Sequence, residues 1–210
     1  MYQQPIVMLD FETTGLSPAM GDRITEVAAL RIVGGRVTDR YVSLVNCGVR
    51  IPAFISQLTG ISQAMVERAP PVEEVLPALL DFIGDAALAA HNASFDEKFL
   101  KAEAARLDLA PAHGGLVCSL KLSRRVFPGL TSYKLGQLSG QLGIAFRSAA
   151  HRAESDAEVA AGVLLHIGQH LGTLYGLGPV EPPLLLAVNK LSAAKVPDFL
   201  QKYAVSIKPS

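Results

Sequence analysis

Two carboxylates near the start of this 210-residue chain are the first residues whose types and spacing could do chemistry. Asp10 and Glu12 come at the end of an apolar run, 6–11, that predicts a buried strand. Because side chains alternate between the faces of a strand, both carboxylates point the same way. A dication between them would relieve their repulsion, but a solvated strand end explains the pair equally well. The pair needs partners elsewhere before it indicates a metal site.

Two further polar segments lie where a helix is predicted to begin. Asp96 falls in the first turn of a predicted helix that follows a strand, at the edge where open α/β sheets bind ligands. His151 precedes another predicted helix, and Asp156 begins that helix. Each has an ordinary explanation when taken alone. A carboxylate in a first turn complements the helix dipole, and a loop histidine is often simply exposed.

The joint occurrence of these residues is more informative than any one of them. Together the three segments supply four carboxylates, Asp10, Glu12, Asp96 and Asp156, and one imidazole, His151. Such a set can hold two divalent cations roughly 3.5–4 Å apart, which stabilise the attacking hydroxide and the leaving 3′ oxygen in phosphodiester hydrolysis. Histidine is suited to accept the proton of the attacking water. The sequence therefore predicts a two-metal hydrolytic site.

Three motifs in this order resemble those of the DEDDh family of 3′-5′ exonucleases, whose members include the proofreading epsilon subunit of bacterial DNA polymerase III and ribonuclease T. The motifs are DFETTG at 10–15, HNASFD at 91–96 and HRAESDA at 151–157. The resemblance implies a ribonuclease H-like fold and two cofactor cations, Mg²⁺ or Mn²⁺. It also implies that Asp10 bridges both cations, that Glu12 and Asp156 bind the cation of the nucleophilic water, and that Asp96 serves the second. His151 is implied to be the general base.

The same resemblance assigns a pocket for the terminal nucleotide. It implies that Thr13 and Thr14 approach this nucleotide, that Leu16 wedges against its base, and that Asn92 and Phe95 line the pocket. Local explanations stand beside these roles, because the threonines also fit a turn, and Leu16 and Phe95 also fit a core.

The expected activity is release of 5′-mononucleotides from single-stranded 3′ ends. DNA is the favoured substrate, in a proofreading role with a DNA polymerase subunit as candidate partner; 3′-trimming of RNA or oligonucleotides is the alternative. Spacing does not show how a 2′-hydroxyl would be recognised, so this choice stays open. A non-catalytic polymerase-binding module is a remote alternative, because a scaffold has no need of the complete ligand set.

The elements that must position these residues follow from apolar periodicity. Three strands joined by turns form an antiparallel meander, with Gly34-Gly35 as a hairpin turn, and are predicted at 6–11, 24–33 and 37–45. Further strands at 86–90 and 116–120 alternate with helices predicted at 72–83, from 95 to before Pro111, and at 155–170 with Ser155 as N-cap. This order predicts an α/β domain, a mixed five-stranded sheet (antiparallel meander, then parallel strands) flanked by helices.

Charge and composition limit the environment and the partners. With 19 Lys+Arg against 19 Asp+Glu, the chain has no global positive field, so attraction of phosphates must be local. A candidate basic strip consists of Lys121, Arg124, Arg125, Lys134 and Arg147. The chain shows no signal peptide, its apolar runs are too short to span a bilayer, and its two cysteines are sparse. We therefore expect a cytoplasmic protein that does not contact a membrane.

A change of composition past Gly172 divides the chain. Residues 1–172 are predicted to be the exonuclease domain, and 173–210 a C-terminal extension that starts with a stretch rich in glycine and proline. Packing of the extension on the domain is the favoured interpretation, because exposed apolar segments tend to be covered. Binding of a partner, such as a polymerase, is the alternative.

Overall fold

The computed structural model describes residues 2–145 and 151–207. The strands are β1 (Ile6–Thr13), β2 (Ile24–Val33), β3 (Arg36–Leu44), β4 (Ala87–Ala90) and β5 (Leu116–Cys118). The helices are α1 (Ala53–Thr59), α2 (Gln63–Glu67), α3 (Val72–Ile83), α4 (Ser94–Arg106), α5 (Ser119–Val126), α6 (Leu135–Gln141), α7 (Ala153–Tyr175), α8 (Pro182–Lys190) and α9 (Val196–Ser206). None of the helices in these described ranges is long and apolar enough to cross a membrane.

The five strands form one mixed sheet in the order β3-β2-β1-β4-β5. β1 pairs antiparallel with β2 and parallel with β4, and β4 pairs parallel with β5. The β2–β3 hairpin turns at Gly34 and Gly35, whose φ angles of 61° and 78° suit glycine. The predicted sheet, an antiparallel meander followed by parallel strands, is confirmed.

The alternation of side chains along β1 divides the core into two layers. Ile6 and Met8 belong to the cluster that contains the buried side of α7, whereas Val7 and Leu9 belong to the cluster that contains α3 and α4. Residues two apart share a face. The carboxylates at positions 10 and 12 therefore lie on the face covered by α7.

Several element boundaries differ from prediction by a few residues, and two of the differences have a cause in the structure. α7 begins at Ala153 with Arg152 as its N-cap residue, so the prediction of Ser155 as N-cap is wrong. The reason is tertiary: a carboxylate from β2, Glu26, accepts the Ala153 N–H at 2.9 Å and caps this end of the helix. The strand predicted at 116–120 ends at Cys118, because α5 begins at the next residue.

The C-terminal extension packs against the sheet and α7. α7 continues past residue 172 to Tyr175, and buried side chains of α8 and α9, such as Leu185 and Leu200, share one core cluster with β1. Asn189 of α8 accepts the Cys118 N–H at 2.7 Å and donates to the Cys118 carbonyl at 3.1 Å. One side chain of α8 therefore satisfies the backbone groups of Cys118 on the outward edge of β5. The domain boundary at residue 172 stays a prediction.

Candidate active site

Three carboxylates from two elements come together where β1 ends. Asp10 and Glu12 lie on β1, and Asp156 lies in the first turn of α7. One oxygen from each of the three lies within 4.8 Å of the others. Oxygen ligands at this spacing can hold one hard divalent cation.

A fourth carboxylate reaches the same end of the sheet from the other helical layer. Asp96 follows β4 in the first turn of α4 and is 3% exposed. It lies outside the group of three, but its charge is the largest influence after burial on the raised pKa of Asp10. This influence indicates that the Asp96 carboxylate lies near that of Asp10.

Burial makes ionisation of this cluster unfavourable. Burial first, and the neighbouring carboxylates second, raise the pKa of Asp10 well above its ordinary value. Burial and then the Asp156 carboxylate raise the pKa of Glu12 to about 8. Burial raises the pKa of Asp96 to about 8, although backbone hydrogen bonds oppose the shift. Among the described residues, none of the four forms an ion pair. A bound divalent cation would supply the missing positive charge.

His151 lies two residues before the start of α7, beside one of the carboxylates. Its backbone N–H donates to Asp156 Oδ2 at 3.2 Å, and this contact opposes the burial that raises the pKa of Asp156. The φ of 62° places His151 in the left-handed region, which is uncommon for a residue other than glycine. Its exposed side chain has access to solvent water, as a general base for hydrolysis requires.

Sequence reasoning missed a buried glutamate that holds the start of α7. Glu26 of β2 is the cross-strand partner of Glu12 and is 2% exposed. Its carboxylate accepts hydrogen bonds from Arg152 Nε and Nη2 as well as from Ala153 N–H. A glutamate inside the mostly apolar run of β2 was the one signal available in the sequence.

The two threonines predicted to approach the terminal nucleotide are buried, Thr13 as the last residue of β1 and Thr14 in the turn that follows. Thr13 Oγ1 donates to the Gly15 carbonyl at 2.6 Å. Thr14 Oγ1 accepts the Arg23 N–H at 2.9 Å and donates to Asp22 Oδ1 at 3.4 Å. Both hydroxyls therefore shape the turn that carries the next residues.

The other residues predicted for the pocket are more accessible. Leu16 is 77% exposed, so it is not a core residue, and Asn92 is exposed. Phe95 is half-buried and packs on Phe99 at 5.0 Å between ring centroids. Lys98 links the two segments, because its Nζ donates to the Leu16 carbonyl at 2.5 Å and lies 4.8 Å from the centroid of the Phe95 ring.

Comparison of the sequence with known proteins identifies the family of this chain. The family model described as Exonuclease, of the RNase_T type, matches residues 7–164. The chain belongs to this exonuclease family. It is 41% identical over 199 residues to the 3′-5′ exonuclease DinG of Bacillus subtilis, covering 95% of this chain and 21% of that protein. It is 36% identical over 172 residues to the DNA polymerase III subunit epsilon of Aquifex aeolicus, covering 82% and 84% respectively.

A solved structure shows the same fold. Exonuclease X in complex with 5′ overhanging duplex DNA matches with a TM-score of 0.68 at 25% identity, covering 88% of this chain and 99% of that one. The predictions of the exonuclease family, of a ribonuclease H-like fold and of a hydrolytic enzyme are thereby confirmed. The chain spans only about a fifth of the DinG relative, which is a much longer protein.

A cavity of about 630 Å³ in the exonuclease fold adjoins the predicted nucleotide pocket. Asn92, Arg124, Tyr133 and Lys134 are among its lining residues. The structure divides the predicted basic strip, because Arg125 instead donates to the carbonyls of Lys121 and Leu191 and so holds the end of α8. Arg147 lies outside the described residues.

His91 follows β4 directly and is one of the residues that line this cavity. Its Nδ1 lies 2.9 Å from Ser119 Oγ, and its Nε2 lies 3.0 Å from the Tyr133 carbonyl. Burial lowers the pKa of His91, which favours neutral imidazole that donates to the carbonyl and accepts from the hydroxyl. His91 therefore connects β4, α5 and the loop before α6.

Proposed function

We propose that this protein is a two-cation 3′-5′ exonuclease that releases 5′-mononucleotides from single-stranded DNA ends. The observation that carries the proposal is the group of four buried or half-buried carboxylates, which forms no ion pair with arginine or lysine in the described part of the chain. Such a group is stable in its ionised form only with cations.

Each residue of the site has a role in this reaction. Asp10, Glu12, Asp96 and Asp156 would hold the cations, with Glu12 and Asp156 on the side of the attacking water, Asp96 on the opposite side and Asp10 between them. Mg²⁺ or Mn²⁺ suits ligands that are all carboxylate oxygens, and would supply positive charge for the attacking and leaving oxygens. His151 accepts the proton of the water that attacks phosphorus. The P–O3′ bond breaks, leaving a 3′-hydroxyl on the strand and a 5′-phosphate on the released nucleotide.

Two surface features support a nucleic-acid strand as substrate. The exposed Leu16 side chain, on the turn after β1, is available to pack on a terminal base. Arg124 and Lys134 line the adjoining cavity and supply positive charge for backbone phosphates, despite the zero net charge of the chain. The choice of DNA rests on the relatives, a DNA polymerase subunit and an exonuclease bound to DNA.

A DNA polymerase is the protein partner that the epsilon relative suggests. The buried apolar side chains of α8 and α9 belong to the chain's own core, so docking would use exposed surface. Co-purification of the whole chain with a polymerase would support this proposal, and separate elution at micromolar concentrations would count against it.

Degradation of matched DNA and RNA strands tests the function. The substrates are 5′-labelled single strands and duplexes with paired or mismatched 3′ ends, incubated with Mg²⁺, Mn²⁺ or a chelator. We expect single-nucleotide steps from the 3′ end, only with a cation, and faster on single-stranded or mismatched DNA than on paired DNA or RNA. Faster degradation of RNA would favour the trimming role, and internal cuts would contradict an exonuclease.

A further inference from the structure

The Glu26 carboxylate is occupied on both oxygens by the two residues that begin α7. Oε1 accepts from Arg152 Nη2 at 2.5 Å, and Oε2 accepts from Arg152 Nε at 3.0 Å and from Ala153 N–H at 2.9 Å. The Glu26 side chain is 3% exposed and that of Arg152 is 40% exposed. A fork of this kind fixes orientation as well as distance, because two parallel N–H groups meet two oxygens.

This contact joins β2 to both halves of the proposed site. Glu26 lies directly opposite Glu12 in the register of β2 with β1. Arg152 immediately follows His151, whose N–H is held by Asp156 Oδ2 at 3.2 Å. The base and the water-side carboxylates are therefore connected through one ion pair.

The backbone of His151 needs such a support. Its φ of 62° lies in the left-handed region, which is strained for a residue with a Cβ. Strained conformations persist only where the surroundings hold them. The Glu26 carboxylate holds the two residues that follow, so loss of the pair would let residue 151 relax and move its imidazole.

We propose that Glu26 and Arg152 are positioning residues that fix the His151 imidazole against the water-side carboxylates. The inference rests on the proposed role of His151 as the base. Neither residue is required to touch the reacting atoms; both act through the backbone of His151. Misplacement of a catalytic group by about 1 Å can lower the rate by about 10²-fold, so the pair is expected to affect kcat.

Arg152→Lys and Glu26→Gln test the proposal, with Arg40→Lys as the matched control. Arg40 also ties α7 to the sheet, from β3 to Glu154 at 3.0 Å and Glu158 at 2.5 Å. Steady-state kinetics use a labelled single-stranded DNA oligonucleotide at saturating Mg²⁺, and thermal melting confirms that each variant is folded. We expect kcat to fall roughly 10- to 100-fold in both Glu26 and Arg152 variants, with KM within about threefold, and to stay unchanged in the control.

The same Arg152→Lys change in a His151→Ala background shows whether the pair acts through the histidine. We expect the double variant to match His151→Ala within about twofold, because an absent base cannot be misplaced. An undiminished loss in that background, or a raised KM with normal kcat, would overturn the proposal and make Arg152 a direct contact to substrate phosphate.

Two further outcomes separate this inference from the proposed function. Wild-type kcat in Arg152→Lys and Glu26→Gln, beside a strongly impaired His151→Ala, would overturn the positioning role alone. Wild-type kcat in His151→Ala would remove the base, and the positioning role would fall with it. Activity that requires Mg²⁺ and Asp10 would still hold in both cases if the cation site is correct.

Discussion

Asp96 and Glu103 are both buried in α4, about two turns apart, but only Glu103 forms ion pairs among the described residues. Glu103 accepts from Arg23 Nε at 2.7 Å and Nη2 at 2.9 Å, and Arg106 lies 3.2 Å away. Asp96 has no such partner among the described residues, and burial raises its pKa to about 8. Burial alone therefore does not distinguish a candidate metal ligand from a structural carboxylate. The two residues differ in whether an arginine forms an ion pair with the carboxylate.

The same contrast recurs between β1 and β2. Glu12 and Glu26 lie opposite each other, and Arg152 forms its fork with Glu26. Glu12 is left facing Asp10 and Asp156. Arginine thus forms ion pairs with Glu103 and Glu26, whereas the candidate cation ligands form none among the described residues.

Among the substitutions, Asp10→Asn should have the largest effect on activity. We expect nucleotide release to fall on the order of 10³-fold, because a cation supplies several kcal/mol of transition-state stabilisation. The cation-free variant should also melt at a higher temperature than the cation-free wild type, since it no longer has a buried carboxyl group that must take up a proton on folding. Initial rates with Mg²⁺ and melting in a chelator measure the two effects. Unchanged activity would refute the cation site.

Glu103→Gln is expected to give the reverse result. The variant should lose roughly 3 kcal/mol of unfolding free energy, because the arginine pair loses its buried partner. Its kcat should stay near wild type at temperatures where it is folded. Urea denaturation and the oligonucleotide assay check both. A large loss of kcat without loss of stability would show that the two classes of carboxylate are not separate.

The stability of the cation-free protein should change with pH in a defined direction. Burial raises the pKa of Glu12 from 4.5 and of Asp96 from 3.8, in each case to about 8, so the folded state binds more protons than the unfolded state between these values. Stability should therefore fall by several kcal/mol as pH rises from about 5 to 8, at up to about 1.4 kcal/mol per pH unit for each group.

Divalent cations and one substitution provide the controls for that slope. Mg²⁺ should restore stability at pH 8, because it binds the ionised carboxylates. Glu12→Gln should flatten the slope in the chelator. Melting temperatures that rise steadily over the same pH range would contradict the raised pKa values.

Arg40→Ala should have the smallest effect. Arg40 pairs with Glu154 and Glu158, but its side chain is 44% exposed. Exposed ion pairs contribute about 0.2–1 kcal/mol, so we expect a loss within that range and no change in kcat. Denaturation at low and high salt measures it. A loss as large as that of Glu103→Gln would mean that exposure does not decide the value of these pairs.

The features that could be predicted from sequence are local ones. Alternation along β1 places Asp10 and Glu12 on one face, and the starts of α4 and α7 carry Asp96 and Asp156. Periodicity and turn residues are enough for such statements, and they also predict an antiparallel meander followed by parallel strands.

Long-range contacts could not be predicted in this way. Glu26 and Arg152 are 126 positions apart, and Asn189 lies 71 positions from Cys118. Ser155 was assigned as an N-cap on local grounds, whereas a residue from another strand caps α7. These contacts depend on the assembled fold, so no local pattern indicates them.

The hydrogen bonds from Asn189 to Cys118 have a consequence for shortened forms of the protein. β5 is the last strand of the sheet, and its outward backbone groups would otherwise be free to template another strand. A chain cut at residue 172 would expose this edge together with apolar side chains that α8 and α9 now cover. We expect such a fragment to be less stable and more prone to aggregation than the whole chain.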